Sequence, residues 1–181
     1  MRMAHIHTEH GQHDATVSFF IVRTDTCKPT IMLHKHKKIG KLMMFGGHVE
    51  LGENPWEAAL HEITEETGYA HHQLRILQPY HRIMKMDGAK VHPTPVVYST
   101  KEYPKAESLH FHTDATYALL ADGAPEGQPE DGESMDIRLV TLEELNAIPD
   151  DEIVEAWREI GREVLSHYRL AWTPLALHEF E

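Results

Sequence analysis

Apolar residues fall along this chain in short blocks separated by turn formers, and two later stretches carry the spacing of helices. ATVSFFIV (residues 15–22) is rich in β-branched and aromatic residues and reads as a strand, with TIMLHKHKK (30–38) as its partner across the turn residues of RTDTCKP. KLMMFGGHVE (41–50), HQLRILQPYHRI (72–83), TPVVYSTKEY (94–103), HFHTDATYALLA (110–121) and SMDIRLV (134–140) each read as a further strand. Strands on both sides of one early helix make this an α/β chain. TLEEL (141–145) has a threonine cap followed by acidic first-turn residues. DDEIVEAWREIGREVLSHYRL (150–170) puts Ile153, Trp157, Ile160 and Val164 on one stripe of a C-terminal helix, the pattern of a packing face. The tail AWTPLALHEFE (171–181) covers a sheet edge or a partner subunit, which leaves a homodimer open.

The early helix is written in its caps. Asn54 is a good N-cap, Pro55 suits the first turn, Glu57 stands where it can reach back to a free amide, and Gly68 supplies the stop, so the helix runs from Pro55 to Thr67. At about 100° per residue, Trp56, Ala59, Leu60, Ile63 and Thr67 share a packing side, while Glu62, Glu65 and Glu66 fall within a ~100° arc on another. Like charges one turn apart repel, and a cation reverses the sign of that interaction. His61 is the only basic residue on the helix, with no lysine or arginine there, so a hard divalent ion held by oxygens, magnesium first, is the natural partner.

Composition narrows the class of function. The 181 residues, 41% hydrophobic and 25% charged, suit one globular domain, residues 14–181, behind a flexible arm over residues 1–13 that carries His5, His7, His10 and His13. No apolar run approaches the ~20 residues of a membrane span, and the start does not read as a secretory signal, so a cytoplasmic location is expected. The net charge of −12 argues against a nucleic-acid surface and requires metal ions for any phosphate ligand. Sixteen histidines, read mostly as surface residues, would offset much of that charge near pH ~6.5. Cys27, the only cysteine, excludes an internal disulfide and is expected as a buried thiol.

Residues 47–69 resemble the box of the Nudix (MutT-like) hydrolase family, G-x5-E-x7-R-E-U-x-E-E-x-G-U, where U is bulky and apolar. Gly47 opens it, Glu53 follows, and then come His61, Glu62, Ile63, Glu65, Glu66, Gly68 and Tyr69. Every acidic position matches. His61 replaces the usual arginine, and Phe45 stands where many members have proline. The resemblance implies a Nudix-type α/β/α sandwich with a mixed β-sheet. It implies hydrolysis of the diphosphate linkage of a nucleoside diphosphate derivative, such as a nucleoside triphosphate or an oxidised nucleotide, with Mg2+ as cofactor and Mn2+ as an alternative. The Gly46 carbonyl, Glu65 and Glu66 are the implied metal ligands. Glu62 is a further ligand or the water-activating base, and Glu53 supports a bound water or the loop.

Relatives also draw the base from a later loop. DGAPEGQPEDGESMD (122–136) has the composition of a mobile loop that could bring Glu126, Glu130 or Glu133 over the metals. On a strand, His110, His112 and Asp114 share one face and are candidates for substrate binding, with an ordinary exposed face an equal alternative; HKHKK (34–38) could likewise meet phosphates, although a solvated strand end is its plainer reading. Trp56 and Trp157 read as core. Two other classes compete: a Nudix-like module that senses a nucleotide metabolite without cleaving it, and a histidine-rich metal store.

Overall fold

The computed structural model describes residues 9–105 and 108–180, with side chains described outside 103–108. Its spine is a strand, β1 (His13–Arg23), paired in parallel over its whole length with β7 (Ser108–Ala121), from His13 opposite Phe111 to Arg23 opposite Ala121. Both strands change partners halfway. Thr16–Phe19 of β1 pair with β4 (Phe45–His48), whereas Val22 and Arg23 pair with β2 (Thr30–Lys35). On the other side, β6 (Val97–Lys105) follows β7 up to Thr116, and β5 (Leu74–Pro79) takes over from Leu119. β3 (Leu42–Met43) and β8 (Ile137–Thr141) extend from β2, and β9 (Trp172–Ala176) closes the far edge on β5. The tail therefore covers an edge of its own sheet. The result is a mixed sheet, parallel only at its centre.

The two-residue period of β1 divides the core. Val17, Phe19 and Ile21 pack with Trp56, Ala59 and Ile63 of α1 (Pro55–Thr67) on one face; Phe20 and Val22 pack with Leu145 of α2 (Leu142–Ala147) and with Val164 and Leu165 of α3 (Glu155–His167) on the other. This is an α/β/α sandwich. Trp56 meets Tyr117 at 5.3 Å and Phe180 at 6.3 Å, edge to face, which makes it a core residue. No helix among the described residues is long and apolar enough to cross a membrane.

Several expectations shift. The strand expected over 72–83 ends at Pro79. In 41–50, two short strands replace one. Ile153 precedes α3 and bridges to Leu42, while Trp157 and Ile160 are half-buried on the flanks. The expected stripe does pack against the core, with Val164 buried, but Arg158, Gly161 and Leu165 are buried beside it, so the most buried line of α3 is turned from that stripe. Two contacts rotate it: a Cβ on Gly161 would stand 2.8 Å from Ile31 Cδ1, so a larger residue here would require that side chain to move, and Arg158 donates to Asp150 and to the Ile148 carbonyl, both at 2.8 Å. Cys27 is exposed, in the turn between β1 and β2. Within the expected arm, residues 1–8 lie outside the described residues, His13 opens β1, and the Gly11 N–H donates to the Leu109 carbonyl at 2.9 Å.

Not all histidines are surface residues. His34 is 4% exposed in β2, its ring 4.8 Å from Phe45, and burial, aided by nearby His36, pushes its pKa down to about 4. The unfolded chain then binds the extra proton between the ordinary value of 6.5 and about 4, so this residue's contribution to stability is complete above 6.5 and is lost as pH falls through that window. His34→Gln is expected to flatten the acid limb of the stability curve by roughly 1–3 kcal/mol, read as the change in urea midpoint between pH 7 and pH 4.5 relative to the parent.

Candidate active site

The acidic flank of α1 is held by its own start signal. The Asn54 side chain accepts from the Trp56 and Glu57 amides at 3.0 and 3.1 Å, and Glu57 accepts from the Asn54 amide at 3.0 Å. Gly68 ends the helix with φ 72°. Within these limits Glu62 and Glu66 are buried, turned toward β4, and Glu65 is half-buried beside them.

Two glycines of β4 make room. Gly46, with φ 146°, crosses β1 so closely that a Cβ would stand 2.1 Å from the Val17 carbonyl oxygen; its N–H donates to Glu66 Oε2 at 2.7 Å. A Cβ on Gly47 would stand 2.2 Å from Glu62 Oε1, so the carboxylate occupies the space that any other residue would fill. Burial pushes the Glu66 pKa up to about 8; Glu62, Glu133 and Glu65 add to the rise, and the Gly46 N–H opposes it. A cluster of carboxylates this close is a set of hard oxygen donors, and it fits a divalent cation of the Mg2+ class.

Glu133 comes from the loop before β8. That loop, expected to be mobile, is tied down along its length. Tyr69 Oη donates to the Gly123 carbonyl at 2.7 Å, Gly127 N–H to the Gly68 carbonyl at 3.0 Å, Glu130 N–H to the Glu65 carbonyl at 2.7 Å, and Ser134 Oγ to the Lys35 carbonyl at 2.8 Å; Lys37 Nζ donates to the Gly132 carbonyl. Burial pushes Tyr69 up to about 12, so it remains a donor. The end of the acidic motif thus lays the loop across the acids. Glu133 is near enough to raise Glu66 and also to oppose the burial that lowers His36. Glu130 contributes its backbone, and its side chain is exposed; Glu126 pairs with His72 at 3.2 Å. In HKHKK, His34 is core and Lys37 anchors this loop.

The departure at His61 has a visible consequence. Its Nδ1 lies 2.8 Å from Glu53 Oε2, and Glu53 Oε1 accepts from the Glu50 amide at 3.0 Å, so the pair ties the glycine loop to the helix. Glu53 is therefore held against loop and helix, while Glu62, Glu65 and Glu66 converge.

His110, His112 and Asp114 do share a face of β7, as their spacing predicts, but it is the face toward α3, across the sheet from α1. Thr16 and Ser18 of β1 donate to Asp114 Oδ1 at 2.8 Å each, and Thr116 to Oδ2 at 2.7 Å. Beside them, ligand atoms of Asp14, His48 and His112 lie within 4.8 Å of one another. Asp14 and His48 escaped sequence reasoning. The alternation of polar Asp14, Thr16 and Ser18 with Ala15, Val17 and Phe19 was the available signal, and the strand that they meet is about a hundred residues away.

The NUDIX domain model matches residues 12–161. Among solved structures, a NUDIX-family hydrolase from Clostridium perfringens is similar, with 28% identity, a TM-score of 0.65, and coverage of 84% of this chain and 95% of that one. The dihydroneopterin triphosphate pyrophosphohydrolase of E. coli has 14% identity and a TM-score of 0.59, over 87% and 99%. The C. elegans Ap4A hydrolase has 17% and 0.56, over 86% and 100%. No curated protein matches the chain in sequence.

Proposed function

Since the chain belongs to the NUDIX family of hydrolases, we propose that it cleaves the diphosphate linkage of a nucleoside diphosphate derivative, with nucleoside triphosphates, oxidised ones included, as the first substrates to try. Glu62, Glu65, Glu66 and the Gly46 carbonyl oxygen would hold Mg2+, with Mn2+ able to serve in its place. The observation that carries the reading is the convergence of α1 and loop carboxylates beside Gly46, where burial first, and then Glu62, Glu133 and Glu65, holds the Glu66 carboxyl up at about 8.

Bound divalent metal neutralises the diphosphate and lowers the pKa of a bound water. The chain's own residues do the rest. The Gly46 N–H holds the Glu66 carboxylate, the space at Gly47 admits Glu62, and the loop bonds to Gly68 and Tyr69 would help to keep Glu133 beside Glu66. Glu62 and Glu133 are the two candidates to take the proton of the attacking water, and Glu53 with His61 supports the loop.

Phosphate and pyrophosphate release from a panel of nucleoside triphosphates, oxidised nucleotides, a dinucleoside polyphosphate and ADP-ribose, all with Mg2+, tests the reading. Turnover of at least one is expected, falling about 100-fold in Glu65→Gln. Saturable binding with no turnover across the panel would instead make the domain a sensor.

A further inference from the structure

We propose that Asp14, His48 and His112 form a second metal site, for a transition dication of the Zn2+ class, separate from the carboxylates of α1. The three residues sit on adjacent strands, β1, β4 and β7. Thr16 is opposite His48, and Asp14 is opposite His112. Opposed residues share a sheet face, so the ladders that fix the fold also bring these three side chains together on the side toward α3. Gly47, one residue earlier in β4, faces Glu62 on the other side. The two groups therefore stand on opposite faces of one strand.

The distances suit a metal after small side-chain rotations. His48 Nε2 is 3.9 Å from Asp14 Oδ2, the His48 and His112 rings meet edge-on with centroids 5.1 Å apart, and one potential ligand atom of each residue lies within 4.8 Å of the others. Metal–ligand bonds of about 2.0–2.2 Å place donor atoms roughly 3–3.5 Å apart, so a contraction of about 1 Å completes the set. Asp14 is 2% exposed and fixes one corner; both imidazoles are half-buried, and rotation about their side-chain bonds swings them toward it.

The donor set determines the ion. Two imidazoles and one carboxylate favour Zn2+, Co2+, Ni2+ or Fe2+, whereas an all-oxygen cluster such as that on α1 favours Mg2+. Three protein ligands leave coordination positions open for water or a ligand atom. His110, on the same face with its ring 5.3 Å from His112, adds a further imidazole to the surroundings.

The test is Zn2+ and Co2+ titration of the full chain in excess Mg2+, which keeps the α1 carboxylates occupied. Calorimetry and the visible Co2+ spectrum report binding. The full-length background carries His5→Gln, His7→Gln and His10→Gln, so that the N-terminal histidines contribute nothing. One equivalent should bind in this background and persist in Glu65→Gln. Affinity should fall roughly 100-fold in His48→Ala and in His112→Ala, and at least about 10-fold in Asp14→Asn. Circular dichroism and a cooperative melt confirm that each variant is folded, and the half-exposed His48 gives a readout if Asp14→Asn does not fold. A bound equivalent that survives in folded His48→Ala/His112→Ala, or a background protein that takes up no Zn2+ below millimolar concentrations, overturns the proposal.

Discussion

Glu66→Gln is expected to lower Mg2+-dependent turnover about 1000-fold and, at the same time, to make the metal-free protein more stable above pH 8. The first effect follows from removing an anionic oxygen at the centre of the cluster. The second follows from what that oxygen costs when no cation is present. Burial, then Glu62, Glu133 and Glu65, hold the folded-state pKa up at about 8 against 4.5 in the unfolded chain. Between those values the folded protein carries the extra proton, so its stability falls as pH rises through the window: the contribution is complete below 4.5 and gone above 8.

Glutamine keeps the shape, and its carbonyl still accepts from Gly46, but it has no charge to desolvate. The parent and variant should therefore have matching midpoints near pH 4.5 and diverge as pH rises. The ceiling is about 5 kcal/mol at about 1.36 kcal/mol per pH unit; since neighbouring carboxyls share the proton, ~1–3 kcal/mol is expected. Mg2+ should reverse the order. At about 100 times its Kd it stabilises the parent by about 2.7 kcal/mol and the variant by much less. Urea titrations at several pH values, with and without Mg2+, check both signs. Equal midpoints at pH 8.5 without metal would mean that Glu66 is not held protonated by its surroundings.

What was legible beforehand divides along the range of the interactions. α1 runs over the residues that its caps specify, because Asn54, Pro55, Glu57 and Gly68 act on amides within one turn of themselves. Glu62, Glu65 and Glu66 share a flank by helical arithmetic alone. Their burial was not legible, since it depends on β4 crossing β1 at two glycines. His112 could be placed on a face with His110 and Asp114, but not beside Asp14 and His48, because the parallel ladder between β1 and β7 has no local signature. The same holds for residues 122–136. Their Gly, Pro and acidic content describes a segment without regular structure, and the bonds that hold it come from Gly68, Tyr69, Glu65, Lys35 and Lys37, all distant in the chain.

That tethering gives the second large effect. Gly68→Ala is expected to cost about 2–4 kcal/mol and to reduce turnover roughly 10–100-fold, although residue 68 bears no functional group. Two costs combine. A φ of 72° is strained for alanine, and the new Cβ would stand 2.6 Å from the Gly127 carbonyl carbon and 2.7 Å from the Gln128 nitrogen, which are backbone atoms that cannot rotate away. Relief requires the loop to lift from the end of α1, taking Glu133 with it. Gly88→Ala separates the two costs, because Gly88 has φ 71° and nothing within 4 Å of where a Cβ would stand. It should lose about 1 kcal/mol and no turnover. The difference between the two variants is then the close contact, expected as a further fall in melting temperature of roughly 3–10 °C in a chain of this length. If Gly68→Ala melts with Gly88→Ala and retains parental turnover, the loop is not held by this crossing, and Glu133 loses its claim on the site.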